Sequence, residues 1–522
     1  MAHEEIPVLI VGGSLVGLSS AMLLGHHGVR SLSVERHAGT AIHPRAGHFQ
    51  LRTLEMLRQV GLDDEVRTAS LLTYHPNGGI NAVESLAGRE IATYIKELNE
   101  GVEEFSPTVR VFINQDVLEP IIRRRALELG AAVRNRTEVV DLEQDDSGVT
   151  ATLRDLDRAQ DSVVRARYVI AADGNRSPMR ARLGIEMEGY GELSRSITIY
   201  FKADCAPLLE GRNQGVMYVH NPTLRGFFRL DRTGGTGFLV INTVGEDVTA
   251  PEAVNVSEGL TDERTRDLLR AAIGTDEIPI EVLDVAHWRA ESNVATTMAS
   301  GHVFLAGDAA HVVPPNGGYG GNTGVQDALN LAWKLAAVIK DEAGEALLDT
   351  YDDERRPLAR LTVEQAYTRY ATRVVPERGM DGVEPFIDDL TMELGLVMRS
   401  SAVIPDSGGG DDGALHMHPA LTLGRPGTRA PHMALGDGRS TLDLFGRNFA
   451  LLRGSQSAQA DTPPGVDDHV IALDAFPDAY GISTEGASLV RPDGVVGWRS
   501  HGAYTGDELR SALAAILARQ TR

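Results

Sequence analysis

The sequence predicts an α/β protein built on a doubly wound parallel sheet, interrupted by a mostly antiparallel sheet and followed by a smaller C-terminal domain. Three observations predict it. The first 35 residues read as strand, Gly-rich turn, helix, strand, the ~30-residue βαβ unit of nucleotide-binding sheets. Between about Gly189 and Trp288 the runs ITIYFKAD, GVMYVH, GFFRLD and GFLVINT are short, β-branched or aromatic, and separated by turn residues, as in an antiparallel sheet. Strand–helix alternation then returns, until a Gly- and Asp-rich stretch from Ile404 to Ala414 breaks the apolar period. The 522 residues give room for about three domains at ~150 residues each.

The elements follow in order. Ile6 to Val11 is a continuous apolar run, as in a strand buried on both faces. GGSLVG opens a helix over SSAMLLGHHG, and SLSVER is the second strand. TLEMLRQVGL and LEPIIRRRALELG read as helices, Val139 to Leu142 and Val149 to Leu153 as strands, and YVIAADG as a buried strand entering a turn. HVFLAGDAAH is a further strand-into-turn, GVQDALNLAWKLAAVIK a long buried helix, and DERRPLARLTVEQAYTRYATRVV a further helical stretch. After the linker, STLDLFG, FALLRG, VIALDAF and ASLVRPDGVVGW read as strands, and GDELRSALAAILARQ as a closing amphipathic helix. The expected boundaries are 1–185 with 286–400, 186–285, and 401–522.

Composition narrows the function. Fifty Lys and Arg stand against 73 Asp and Glu, a formal net charge of −23 that repels phosphate backbones and anionic membrane surfaces. The single cysteine, Cys205, excludes an intrachain disulfide, a CxxC redox pair and a Cys-rich zinc site. The start, MAHEE, is unlike a secretory signal, and no stretch reaches the ~18 uncharged apolar residues of a membrane span. A soluble cytoplasmic protein is expected.

Three motifs carry chemistry. In Gly12-Gly13-Ser14-Leu15-Val16-Gly17, the first glycine makes the tight turn and the last lets helix pack on strand, while the helix N-terminus faces a pyrophosphate. Ser14 stands where the pattern has its middle glycine; its Cβ is expected to crowd the pyrophosphate and its hydroxyl to donate to a phosphate oxygen. Glu35 ends the second strand 18 residues after Gly17, where an acid accepts from ribose hydroxyls. The second motif is Asp173-Gly174 and its following NRSPMR, which also fits an ordinary turn. The third is Gly307-Asp308 in FLAGDAAHVVPPNGGYGGNTG, an apolar strand delivering an expected buried Asp into a Gly-rich loop before a helix.

In this order and spacing the three motifs resemble the single-component FAD-dependent aromatic hydroxylases of the p-hydroxybenzoate hydroxylase type, and within them the aromatic polyketide hydroxylases. The resemblance spans nearly the whole chain. It implies a Rossmann-like FAD-binding domain, an inserted mostly antiparallel β-sheet substrate domain, and a C-terminal thioredoxin-like domain, here without CxxC. It implies that Gly12, Ser14, Leu15 and Gly17 hold the FAD pyrophosphate, with Glu35 and the adjacent Arg36 at the adenosine ribose. Arg45 in HPRAGHFQ and Gln115 in FINQDVLEP match family residues beside the cofactor. Asp173 matches the residue tied to FAD and nicotinamide positioning. Gly307 and Asp308 would meet the ribityl chain, Pro315 would lie beside the reacting centre with Arg45, and Gly320, Gly321 and Asn322 would cradle the flavin pyrimidine edge. The sheet residues Tyr218, His220 and Trp288 would line the substrate pocket, or pack as ordinary sheet. Arg369 and Arg373 share a helix face near Tyr370, and either reach a substrate phenolate or form a solvated face.

The activity implied is hydroxylation of a polycyclic aromatic polyketide, as in antibiotic biosynthesis. NADPH, a transient co-substrate without its own domain, reduces FAD; O2 then adds to give a C4a-hydroperoxide that the bound phenol attacks. Two alternatives stay open: a Baeyer–Villiger or rearranging oxygenase on the same scaffold, and a non-catalytic FAD-bound pathway protein. A flavin halogenase is disfavoured because WxWxIP is absent, and hydrolysis because no GxSxG elbow exists. His416 and His418 lack a carboxylate at ligand spacing, so no metal is expected. The family makes a homodimer the expected state, with a small aromatic molecule as ligand.

Overall fold

The computed structural model describes residues 4–42, 46–212, 215–242, 256, 258–376, 379–406, 412–436, 438–457 and 461–519. The first strand, Glu4–Val11, lies at the centre of the main sheet. It pairs in parallel with Ser31–Glu35 on one side and Gln160–Ala171 on the other. Ala132–Asn135 and Val303–Leu305 extend that parallel set outward. Helices Leu15–His26 and Tyr319–Ile339 cover this sheet, and both are buried along most of their length. That is why neither helix alternates cleanly between polar and apolar faces: a helix surrounded by core reads apolar all round.

The second sheet is built on two long strands, Met187–Lys202 and Glu281–Ala295, paired antiparallel along most of their length. Thr236–Asn242, Arg225–Leu230 and Val216–His220 continue it antiparallel, and Ile80–Val83 then joins in parallel. Period-2 alternation sorts its side chains. Met217, Val219, Phe228, Leu230, Leu239 and Ile241 pack against helix Asp262–Ile273. Tyr218, Phe227, Arg229 and Phe238 occupy the opposite face, toward the parallel sheet and helix Thr350–Arg373.

In the C-terminal region the strand order is Val466–Val470, Phe449–Arg453, Ala487–Val490, Val496–Ser500, with the first pair parallel and the others antiparallel. Helix Gly506–Ile516 closes it, behind a capping box from Thr505 and Glu508. Two expected strands differ. STLDLFG is a 3-10 turn, Thr441–Leu444, because Ser440 and Asp443 cap each other's backbone amides and hold the chain helical. The strand expected in VIALDAF lies earlier, at Val466–Val470, and ends where Ile471 turns into the core. Part of the expected linker, 407–411, lies outside the described residues. No helix of the described residues is long and apolar enough to cross a membrane.

A buried ionic network fastens this region to the rest. Glu354 accepts from both Arg491 Nη1 (2.6 Å) and Nη2 (2.9 Å), from Lys334 Nζ (2.8 Å), from Asn330 and from Ser400. Arg491 also meets Asp493 at 2.5 Å, and Asp493 accepts from the Trp333 indole. Burial pushes Lys334 down to about 8 while Glu354 opposes it. Breaking a buried pair from one side leaves an uncompensated charge, at a cost of about 3–5 kcal/mol. Arg491→Met is therefore expected to lower the unfolding free energy by about that amount in urea titration; a loss below about 1 kcal/mol would refute the reading.

Candidate active site

The site forms where the C-terminal ends of the parallel strands meet. The first strand delivers Gly12 at φ +111°, and its amide donates to the Val34 carbonyl at 2.9 Å. A methyl group at Gly12 would lie 2.2 Å from the Ala172 carbonyl oxygen, and one at Gly17 would lie 2.0 Å from the Gly12 carbonyl. Only glycine permits this turn and this approach of helix to strand. No side chain caps the helix that begins at Leu15, so its N-terminal end is left for a ligand.

Ser14 does not turn toward that end. Its hydroxyl donates to Glu119 Oε1 at 2.5 Å, where the sequence reading has it donate to a phosphate oxygen. A buried carboxylate takes the proton because it is the stronger acceptor in reach. Gln115 Nε2 bonds both Ser14 Oγ (2.9 Å) and Glu119 Oε1 (2.6 Å), while Gln115 Oε1 accepts from the Ala46 amide. Glu119 Oε2 accepts from the Ala41 amide. These bonds pin both ends of the segment that carries Arg45, which itself lies outside the described residues. Glu35 accepts from the Gly13 and His37 amides at 2.8 and 2.9 Å, and Arg36 beside it is exposed.

Asp173 follows the strand Gln160–Ala171. It accepts from Ser177 Oγ (2.5 Å) and the Met179 amide (3.0 Å), and burial nevertheless pushes its carboxyl up. Arg180 then spans to the Ala309 carbonyl, so the second and third motifs are joined. In the third motif Gly307 begins a 3-10 turn, and Asp308 is exposed rather than buried. The buried acid is Asp327, sixteen residues after His311, and it accepts from His311 Nε2 (2.7 Å), the Gly307 amide (3.0 Å) and Arg355 Nε (2.8 Å). Sequence reading missed Asp327 and Arg355 because an acid and a base on two predicted helices do not reveal that they face each other.

Pro315 is exposed, and its carbonyl accepts from Gly318, the residue that precedes helix Tyr319–Ile339. Gly320, Gly321 and Asn322 occupy the first helical turn, whose amides have no carbonyl four residues back. The Asn322 side chain is used elsewhere: it accepts from Gln50 N and Thr53 Oγ1 and donates to the His48 and Gly318 carbonyls. This holds the helix N-terminus against residues 48–53.

Across from it stands the second sheet. The Tyr218 hydroxyl accepts from Asn316 Nδ2 at 3.2 Å, and Arg373 lies over the Tyr94 ring at 5.1 Å. Burial opposes the Arg373 charge, but Tyr218 and Asp389 outweigh it and raise its pKa. Arg369 is fully buried and pairs with Asp389 at 2.6 Å, so neither arginine forms a solvated face. The structure thus groups Tyr218, Asn316 and Arg373. His220 ends its strand 6.5 Å from Tyr218. Trp288 instead packs with Tyr367 and Tyr370 and donates to Thr198, away from that group.

A further residue was missed. Arg229 is 5% exposed, lies 4.2 Å above the Tyr74 ring and 4.8 Å from that of Phe112, and has Nε and Nη2 without partners. An unpaired buried charge costs several kcal/mol, and each ring face returns about 2 kcal/mol. Its only sequence signal was alternation, which puts Arg229 on the Phe227 face of GFFRL. Among the described residues no group of three His, Cys, Asp or Glu could hold a metal. His418 instead caps the turn Pro419–Thr422.

The glycine turn, the uncapped helix ends and the exposed Asp308 together fit a dinucleotide whose pyrophosphate is anionic and whose chain bears hydroxyls. Gly12→Ala is expected to yield folded protein that purifies colourless, with FAD affinity reduced at least about a hundredfold by fluorescence titration. Retention of stoichiometric FAD would contradict the geometry.

Comparison with known proteins gives the family. Residues 5–366 match the family model described as FAD binding domain, and residues 423–519 that of the aromatic-ring hydroxylase C-terminal region. The chain is 52% identical to a 4-methyl-5-nitrocatechol 5-monooxygenase of Burkholderia sp, over 99% of this chain and 98% of that one. It is 36% identical to aklavinone 12-hydroxylase of Streptomyces purpurascens, over 99% and 100%. The crystal structure of aklavinone-11 hydroxylase with FAD and aklavinone superposes with TM-score 0.91 at 35% identity, covering 99% and 100% of the two chains. The chain belongs to the FAD-dependent aromatic-ring hydroxylases and is a flavin monooxygenase.

Proposed function

We propose that this monooxygenase takes electrons from NADPH and inserts one oxygen atom of O2 into a phenolic ring. The observation that carries the substrate class is the 52% identity, over nearly all of both chains, to a protein named for a single-ring nitrocatechol. A single-ring acidic catechol is accordingly the favoured substrate. The TM-score of 0.91 to a hydroxylase crystallised with aklavinone supports polycyclic aromatic polyketides as the second reading.

When bound, FAD supplies the redox chemistry, accepting hydride and activating dioxygen. The chain does the rest. Amides at the start of the helix Leu15–His26 would meet the pyrophosphate, with Glu35 at the ribose and Asp308 at the ribityl hydroxyls. Amides of Gly320, Gly321 and Asn322 would face the flavin edge and stabilise negative charge there. Pro315, with Arg45, would border the reacting ring. Gln115 and Glu119 act through the loop they hold, and Asp173 through its tie to Ser177 and Met179. Tyr218, Asn316 and Arg373 would bound the substrate pocket and help exclude water. No protein nucleophile is required. The C-terminal domain, with no cysteine beyond Cys205, acts as a thioredoxin-like cap held by the Glu354 network.

Purified protein is expected to oxidise NADPH when given 4-methyl-5-nitrocatechol or a related catechol, and to place one labelled oxygen in the product under labelled O2. Triggered oxidation by polycyclic phenols alone would favour the second reading. Absence of triggered oxidation across both panels would overturn the proposal.

A further inference from the structure

The strand Arg225–Leu230 turns Arg229 toward the FAD-binding domain, on the face it shares with Phe227. The guanidinium lies over the rings of Tyr74 and Phe112, at 4.2 and 4.8 Å from the ring centres. One nitrogen abuts backbone: a methyl group at Gly47 would lie 1.7 Å from Nη1. The other two, Nε and Nη2, have no hydrogen-bond partner. They form one edge of the planar group, a two-pronged donor suited to two neighbouring oxygens.

The surroundings locate this edge. His48 follows Gly47, and its ring lies 5.2 Å from Phe112. Its Nδ1 would be 2.9 Å from a methyl group at Gly318, the residue heading helix Tyr319–Ile339, whose first turn would face the flavin edge in the function proposed above. His48 Nε2 is also buried without a partner. Two buried, unpartnered nitrogen-bearing side chains therefore lie against the same Phe112 ring, one beside Gly47 and the other beside Gly318. The charged groups around them are committed elsewhere. Arg110 pairs with Glu393 at 2.8 Å, Asp389 pairs with Arg369, and the Tyr74 hydroxyl donates to Asn114. Among the described residues no carboxylate pairs with Arg229. Burial, with Arg110 and Arg229 nearby and Asp389 opposing, pushes His48 down to about 3, so the imidazole is neutral and adds no second cation.

We propose that Arg229 is the anion receptor of the substrate pocket, its Nε–Nη2 edge gripping the two vicinal oxygens of a catechol monoanion. This rests on the phenol-oxidising function proposed above, and it deepens that reading by naming the ionised form that binds and the group that selects it. A bound phenolate is also the electron-rich form that attacks an electrophilic oxygen, so the same contact would orient and activate the ring. A buried, unpaired guanidinium favours an anion over the neutral phenol, because only the anion neutralises the buried charge.

The test uses FAD-loaded enzyme without NADPH and 4-nitrocatechol as a coloured probe, whose absorbance separates the neutral from the ionised form. Wild type is expected to bind the monoanion, with its ionisation shifted at least one pH unit below that of free probe. Arg229→Gln is expected to abolish the shift and weaken binding at least about tenfold, since one pH unit of preferential anion binding is a tenfold effect. Arg229→Lys keeps the charge but not the fork, so it is expected to retain part of the shift with weakened affinity. Flavin content and visible spectrum of each variant report whether the fold is kept; if Arg229→Gln loses its flavin, the Lys variant and the wild-type spectrum decide. Three results would overturn the proposal: no binding of the probe to wild type, binding of the neutral form, or Arg229→Gln with unchanged spectrum and affinity. An Arg229-dependent phenolate spectrum without any triggered NADPH oxidation would sink the proposed function and leave the receptor standing.

Discussion

The site depends on backbone meeting backbone without side chains between. The turn at Gly12 lies against the Ala172 carbonyl, and the helix starting at Leu15 rests on that turn through Gly17. On the far side, Gly307 and Gly324 meet at Val16, where a methyl group on either would come within 2.8 Å of its side chain. Three segments widely separated in sequence thereby bring their polar backbone ends to one edge of the sheet. That edge is the crevice beyond the carboxyl ends of parallel strands, where open α/β sheets bind ligands. An added carbon at Gly12 or Gly17 would push these segments apart and remove the place where a pyrophosphate approaches.

Around this contact, buried charge is arranged in closed pairs. Asp327 is matched by His311 and Arg355, Glu393 by Arg110, Asp389 by Arg369, and Glu354 by Lys334 and Arg491. Each pair ties elements distant in sequence. Buried ion pairs give little net stability over apolar packing, but they penalise any arrangement that separates the partners. Here they set the position of the helices Tyr319–Ile339 and Thr350–Arg373, which carry the glycine turn and Arg373. Arg229 departs from this pattern, and it does so at the junction of the two domains that would enclose a substrate.

The two sheets divide the work by their chemistry. The parallel sheet is apolar on both faces and serves to aim loops. The antiparallel sheet is apolar toward helix Asp262–Ile273 and polar or aromatic toward the crevice. The crevice face therefore combines ring surfaces with a few directed donors, the usual make-up of a pocket for an aromatic ligand.

Local pattern made much of this legible. Strand–turn–helix–strand over the first 35 residues, the Asp173-Gly174 turn and the Gly307-Asp308 turn are short-range features, governed by backbone sterics and by periodicity. Alternation in GVMYVH and GFFRLD likewise marked a two-faced sheet. STLDLFG was misread because a reciprocal cap between Ser440 and Asp443 outweighed the strand-like composition. What tertiary structure decided was which polar groups meet: Ser14 with Glu119 across 105 residues, Asn322 with Gln50 across 272, Glu354 with Arg491 across 137. Tertiary structure likewise decided that Asp308 is exposed and that Arg229 is buried with Nε and Nη2 unpartnered. The reason is physical. Sequence by itself determines torsional preference and the alternation of faces, whereas the pairing of buried charges is fixed only when folding removes water and each ion must find a partner or go without.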